Sequence, residues 1–153
     1  MTNLKEKEIA TIKDLQTQEK SCIEKYKRYL QQAKDPVLKD LFSQLHKKEQ
    51  EHYDTLGRVL QGEVVTVDCN DSDGANYQPK ATYTSISSPE DKENDCFLAT
   101  DCIGTEKLVS GEYNTNVFNF GQAWLRKLLA DIQIEEQNHA EMLYKYKTVN
   151  QMA

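Results

Sequence analysis

Laid over itself with an offset of 87 positions and no gap, the sequence places Glu19-Lys20 on Glu106-Lys107, Tyr26 on Tyr113 and Leu38 on Leu125. The same offset puts Leu41 on Leu128, Leu45 on Ile132, Glu49 on Glu136, His52 on His139 and Leu56 on Leu143. Whatever unit the first half forms, the second half must form as well. The chain is thereby restricted to architectures made of two copies of one motif.

Glycine and proline punctuation identifies that motif as a helical hairpin. From about Leu4 to Lys34 neither residue occurs, and Ile9, Ile12, Glu19, Ile23, Tyr26, Leu30 and Ala33 recur at helical spacing. Asp35-Pro36 supplies a cap and a first-turn proline, so one helix ends there and the next begins. The second helix runs to about Gly62. Ser88-Pro89-Glu90-Asp91 opens a third, predicted to reach about Asn119. Gly104 and Gly111 lie inside it and cost about 1 kcal/mol each relative to alanine. Gly121 marks a turn, and a fourth helix follows to near Asn150. Between the hairpins, residues 63–88 are rich in Asp, Asn, Ser, Thr and Gly, with Val64–Val67 and Ala81–Ile86 as candidate extended pieces. So long a connection suits a crossover that carries the chain the length of a bundle and makes helices two and three parallel. The expectation is an all-α four-helix bundle in up-down-down-up order. Hairpin 1 covers about residues 4–62, the crossover 63–88 and hairpin 2 89–150, within one domain of residues 1–153.

The inward stripe of the second helix reads Leu38, Phe42, Leu45, Glu49, His52, Leu56, Val59; that of the fourth reads Leu125, Leu129, Ile132, Glu136, His139, Leu143. Every position is apolar except the same two in each. A charge on a core stripe costs several kcal/mol unless it is paired or metal-bound. Glu and His three residues apart lie on one side of a helix. Glu19 and Glu49 both lie roughly 21–24 Å from the Asp35 turn at 1.5 Å per residue, and Glu106 and Glu136 are level about Gly121. If the hairpins pack about a two-fold axis, the four glutamates converge with His52 and His139 beside them. Four carboxylates match the charge of two divalent ions. Oxygen and imidazole donors without thiolates suit iron first, with manganese or zinc as alternatives. The competing reading is a metal-free polar core. Tyr26 and Tyr113 stand two turns from Glu19 and Glu106, placed either to hydrogen-bond them from behind or to act as ordinary core tyrosines.

Other classes are excluded or set aside by composition. Lys plus Arg number 19 against 25 Asp plus Glu, a net charge of −6, which argues against a nucleic-acid partner. No apolar run approaches the roughly 20 residues of a membrane helix. Met1 to Lys13 has no apolar stretch for a signal peptide, so a cytoplasmic protein with reduced thiols is expected. Cys22 and Cys102 fall in helical patterns as small core residues, Cys69 and Cys96 have no assigned role, and no Cys-x-x-Cys pair is present. His46 falls off the inward stripe and reads as solvated; Trp124 reads as an anchor for the first turn of the fourth helix or an oligomer contact.

One Glu, a Glu-x-x-His, another Glu and another Glu-x-x-His resembles the pattern of the ferritin-like di-metal carboxylate proteins, rubrerythrins included. That resemblance implies Glu19, Glu49, His52, Glu106, Glu136 and His139 as ligands, with Glu49 and Glu136 bridging and Glu19 and Glu106 terminal. Thr105-Glu106-Lys107, Glu112-Tyr113-Asn114-Thr115, Glu135-Glu136-Gln137-Asn138-His139 and Tyr144-Lys145-Tyr146 look like the spore coat protein F family of endospore-forming bacteria. This implies a ferritin-like coat or coat-associated protein whose partners are dioxygen, peroxide or other coat proteins, with a homodimer compatible with the bundle. It implies either a non-haem di-metal oxidoreductase (peroxidase, catalase-like or ferroxidase) or a structural coat protein with a non-catalytic metal site. The chain departs from rubrerythrins in lacking a rubredoxin module. It also has Ile103 and Val109 one turn either side of Glu106, where they carry a further carboxylate.

Overall fold

The computed structural model describes residues 3–67, 69 and 71–153. The fold is all-helical. Four long helices, α1 (Glu6–Gln32), α2 (Pro36–Leu60), α4 (Pro89–Asn116) and α5 (Ala123–Val149), are joined by a crossover carrying one short helix, α3 (Asp73–Asn76). No strand occurs among the described residues.

Local chemistry sets the helix ends. Asp35 accepts the Val37 N–H at 2.9 Å and Pro36 occupies the first turn of α2. Ser88 and Pro89 do the same for α4. Gly62, with φ of 89°, takes the left-handed conformation that stops the chain after α2. Gly104 and Gly111 do not break α4; a Cβ at either would meet nothing within 4 Å, so both lie on an open face. A single 3₁₀ turn, Val117–Asn119, completes α4 as far as the sequence predicts. Trp124 packs against the core edge and its Nε1 donates to Gln122 at 2.7 Å, anchoring the start of α5. The buried stripe of α1 runs through Ile12, Leu15, Glu19, Cys22 and Tyr26, with Ile9, Ile23 and Leu30 only half-buried. Rotation toward Leu15 is accompanied by burial of Glu8, whose carboxylate accepts the backbone N–H groups of Lys5 and Gly121.

The helices pair as two hairpins, α1 on α2 and α4 on α5, and the hairpins meet through α1 with α4 and α2 with α5. Tyr26 bonds to Glu106 and Tyr113 to Glu19, so α1 and α4 run antiparallel. His52 meets Glu135 and His139 meets Glu49, so α2 and α5 do as well. The apolar core falls into two clusters. One contains Ile12, Leu15, Leu56, Val59, Leu125 and Ile132; the other contains Phe42, Leu45, Leu98, Ala99, Leu143 and Tyr146. The polar residues of the four inward stripes lie between these halves.

The two segments predicted as extended, Val64–Val67 and Ala81–Ile86, form no strand. Side chains at the end of α5 hold other parts of the crossover: Asn150 reaches the second segment and Lys145 reaches α3. Asn150 Oδ1 accepts the N–H groups of Thr82 and Tyr83 at 2.9 and 3.0 Å, and Lys145 Nζ donates to the carbonyls of Gly74, Ala75 and Tyr77. Gly74 presses so closely on α5 that a Cβ there would run into the side chains of Asn138 and Glu141. Positions 68 and 70 of the predicted crossover lie outside the described residues. Cys22 and Cys102 are buried, Cys69 and Cys96 half-buried, and His46 is half-buried rather than fully solvated.

At the Asp35 end, fully buried Asp95 accepts the backbone N–H groups of Lys34 and Asp35 at 2.9 and 2.8 Å and the Tyr83 hydroxyl at 2.6 Å. One carboxylate thus ties the α1–α2 turn, the crossover and α4 together. Asp95→Ala strands those donors and is expected to cost about 2–4 kcal/mol, since each buried unsatisfied group costs about 1–3. Urea denaturation, with circular dichroism as the readout, checks this.

Candidate metal centre

Each long helix delivers its stripe residues to one buried place: Glu19 from α1, Glu49 and His52 from α2, Glu106 from α4, Glu136 and His139 from α5. None is more than 4% exposed. They form two overlapping groups, Glu19–Glu49–His52–Glu136 and Glu49–Glu106–Glu136–His139. In each, one atom per residue lies within 4.8 Å of the others. Glu49 and Glu136 are common to both groups; Glu19 and Glu106 each belong to one. All six residues singled out in the sequence are therefore together.

Both imidazoles turn Nδ1 inward. His52 Nδ1 lies 2.9 Å from Glu136 Oε1, 3.4 Å from Glu49 Oε2 and 3.6 Å from Glu19 Oε1. His139 Nδ1 lies 2.8 Å from Glu49 Oε1, 3.3 Å from Glu106 Oε1 and 4.0 Å from Glu136 Oε2. The rings stack at 6.1 Å between centroids. Tyr26 Oη donates to Glu106 Oε1 and Tyr113 Oη to Glu19 Oε1, each at 2.5 Å. Each tyrosine reaches the glutamate of the other hairpin, so the same contact is made twice across the pseudo-two-fold axis.

Burial and mutual charge pull the proton affinities of these groups apart. Burial, reinforced by the charge of Glu49, holds the Glu19 carboxyl well above the usual range. Burial and the charges of Glu106, Glu49 and Glu19 do the same to Glu136. Burial works in the same sense on Glu49, but the neighbouring Glu19 carboxyl and the two histidines outweigh it and hold Glu49 well below that range. Burial opposes charge on the histidines and is overcome by their neighbours. Glu19, Glu135 and Glu136 push His52 well up, and Glu106 and Glu49 push His139 up to about 10.

Whether this arrangement fits cations is decided by its unused acceptors. Glu19 Oε2, Glu106 Oε2 and both oxygens of Glu136 are buried without a hydrogen bond, although Glu136 Oε1 is within ion-pair distance of His52. Each buried unsatisfied acceptor costs about 1–3 kcal/mol. Four such acceptors around two inward imidazole nitrogens make a donor set that a pair of cations would satisfy. The set is all oxygen and nitrogen, as iron, manganese or zinc accept.

Glu135 escapes stripe analysis. It is buried, and its Oε2 accepts from His52 Nε2 at 2.8 Å, with Lys48 Nζ 3.6 Å away. A residue one position off the inward stripe reads as solvated unless it is known that α2 and α5 face one another. The available signal lay in the repeat itself: an offset of 87 sets Glu135 on Lys48, a charge reversal beside the Glu-x-x-His motifs.

Two cavities reach this region. One of about 350 Å³ is lined by α2, α3 and α5, including Lys48, Asn76, Tyr77 and His139. Another of about 370 Å³ is lined by α2 and crossover residues Thr66 and Val67, and includes His52. No helix among the described residues is long and apolar enough to cross a membrane.

Residues 94–150 match the family model described as the Coat F domain. The match takes in Glu106, Tyr113, Glu135, Glu136 and His139 and leaves the first hairpin, with Glu19, Glu49 and His52, outside. Curated proteins and solved structures give no match to the chain.

Tyr26→Phe and Tyr113→Phe should each destabilise the chelator-treated protein by about 1–3 kcal/mol, because each leaves a buried carboxylate without its donor. The near-identical contacts imply similar losses. Urea denaturation of the two variants side by side checks both points.

Proposed function

We propose that this chain, a member of the Coat F domain family through its residues 94–150, is a ferritin-like spore-coat protein whose buried cluster holds two transition-metal ions. The observation that carries the reading is the pair of overlapping ligand groups sharing Glu49 and Glu136. Shared carboxylates suit bridging roles, and Glu19 and Glu106, each in one group, suit terminal roles. We read the four long helices as one bundle in up-down-down-up order. The antiparallel pairing of α1 with α4 and of α2 with α5 supports this, as does a crossover running from the Gly62 end to the Asp35 end.

Bound at this centre, iron (or manganese or zinc) would supply Lewis acidity and, for the first two, a change of oxidation state toward dioxygen, peroxide or ferrous iron. The chain's own residues do the rest. His52 and His139 give up their Nδ1 protons and offer those nitrogens inward. Tyr26 and Tyr113 hold Glu106 and Glu19 by one oxygen each and leave the other free. The two apolar clusters above and below keep bulk water away. The cavities at His139 and His52 give small molecules a path to the cluster. A structural coat protein with an inert site is the second reading. It is favoured by the hydrogen bonds of Tyr26, Tyr113, His52 and His139, which tie the cluster together in the metal-free chain.

Protein purified without chelator should carry close to two transition-metal ions per chain by elemental analysis. Glu49→Ala combined with Glu136→Ala should abolish uptake and retain most of the helical circular dichroism; stoichiometric binding by that variant would overturn the ligand assignment. Anaerobic iron loading followed by air or peroxide separates the two readings, turnover supporting the first and inert metal the second.

The histidine proton also fixes a pH dependence. With His139 raised to about 10, the metal-free protein holds that proton at neutral pH, so metal must displace it. Apparent affinity should therefore rise from pH 6 toward pH 10 and fall with acidification. Calorimetry in buffers of different ionisation enthalpy should register proton release.

A further inference from the structure

We infer that the two metal positions are unequal, and that Glu135 is the positioning residue that makes the His52 position the tighter one. The inference rests on the two-ion reading above and adds to it a difference between the ions. His52 Nε2 is held at 2.8 Å by the buried carboxylate of Glu135. His139 Nε2 meets no hydrogen-bond partner among the described residues, and His139 lines a cavity of about 350 Å³. The pseudo-two-fold axis accounts for the difference: the residue related to His139 as Glu135 is to His52 is Lys48, a cation that cannot accept from an imidazole N–H. Lys48 Nζ lies 3.6 Å from Glu135, so the two related positions have become one ion pair across α2 and α5. Both cavities include this pair in their walls.

A carboxylate on the outer nitrogen of a ligating histidine fixes its tautomer and ring orientation and makes the inner nitrogen a stronger donor, an effect of about 10–100-fold in metal affinity. His52 has that support and His139 lacks it, although each borders a cavity. The ion beside His52 is thus the resident one. The ion beside His139 is the exchangeable one, reached from the cavity under α3.

Manganese(II) is titrated into the full chain after metal removal, with free ion followed by its paramagnetic resonance signal. Two ions should bind in unequal steps. Glu135→Gln, which keeps the shape and loses the charge, should weaken the tight step about 10–100-fold and leave the loose one in place. The charge swap Lys48→Glu with Glu135→Lys should restore two unequal steps with the order reversed. His139→Ala would then remove the tight step instead of the loose one, an outcome that a merely structural role for Glu135 does not produce. No uptake by the parent chain would overturn the two-ion reading itself. Two ions bound with equal affinity, or an unchanged tight step in folded Glu135→Gln, would overturn only the inequality. Should Glu135→Gln fail to fold, a swap variant without the reversal overturns it.

Discussion

Charge in an apolar interior is the constraint on which this structure depends. Four carboxyls and two imidazoles occupy positions on stripes that are otherwise mostly apolar, and none of the six is meaningfully solvated. Isolated, each would cost several kcal/mol. Brought together they answer one another, so their convergence is a condition of folding as well as of chemistry. The two apolar clusters lie on either side of this belt, and no rotation of a single helix can remove its charged residues from the centre without exposing its leucines.

That constraint explains what could be read from the sequence. Glu49, His52, Glu136 and His139 stood out because they interrupt apolar stripes at matching positions, and Glu19 and Glu106 because they share a level with them. The helix limits were legible in Asp35-Pro36, Ser88-Pro89 and Gly62, where capping and backbone freedom are local properties. Other features depend on contacts between distant segments. The path of the crossover is fixed by Lys145 and Asn150, more than sixty residues beyond the carbonyls and amides they bind. The rotation of α1 toward Leu15 and Cys22 goes with a carboxylate, Glu8, that bonds a turn at the far end of the second hairpin. Glu135 is a partner of His52 only because α2 and α5 are neighbours.

The repeat is kept and broken in different places. It is kept at the six cluster residues and at Tyr26 and Tyr113, whose contacts with the opposite hairpin match to the tenth of an ångström. It is broken at Lys48 and Glu135, where a symmetric pair of carboxylates would have faced each other across the axis. Two glutamates there would repel, and two lysines would leave both histidines without an outer acceptor. A Lys–Glu pair resolves that conflict, and the resolution is necessarily asymmetric.

The crossover imposes a second asymmetry of the same sense. A single connection between two related hairpins can lie on only one path, and here it passes over the α2–α5 face. There α3 is fastened by Gly74 and Lys145 and contributes to the cavity that reaches His139. The α1–α4 face is closed by Tyr26, Tyr113 and the Lys25–Asp101 ion pair. Access to the cluster therefore belongs to the face on which the two histidines already differ. A symmetric frame supplies two ligand groups, and one strand of connecting chain, laid where the symmetry is already broken, gives them different surroundings.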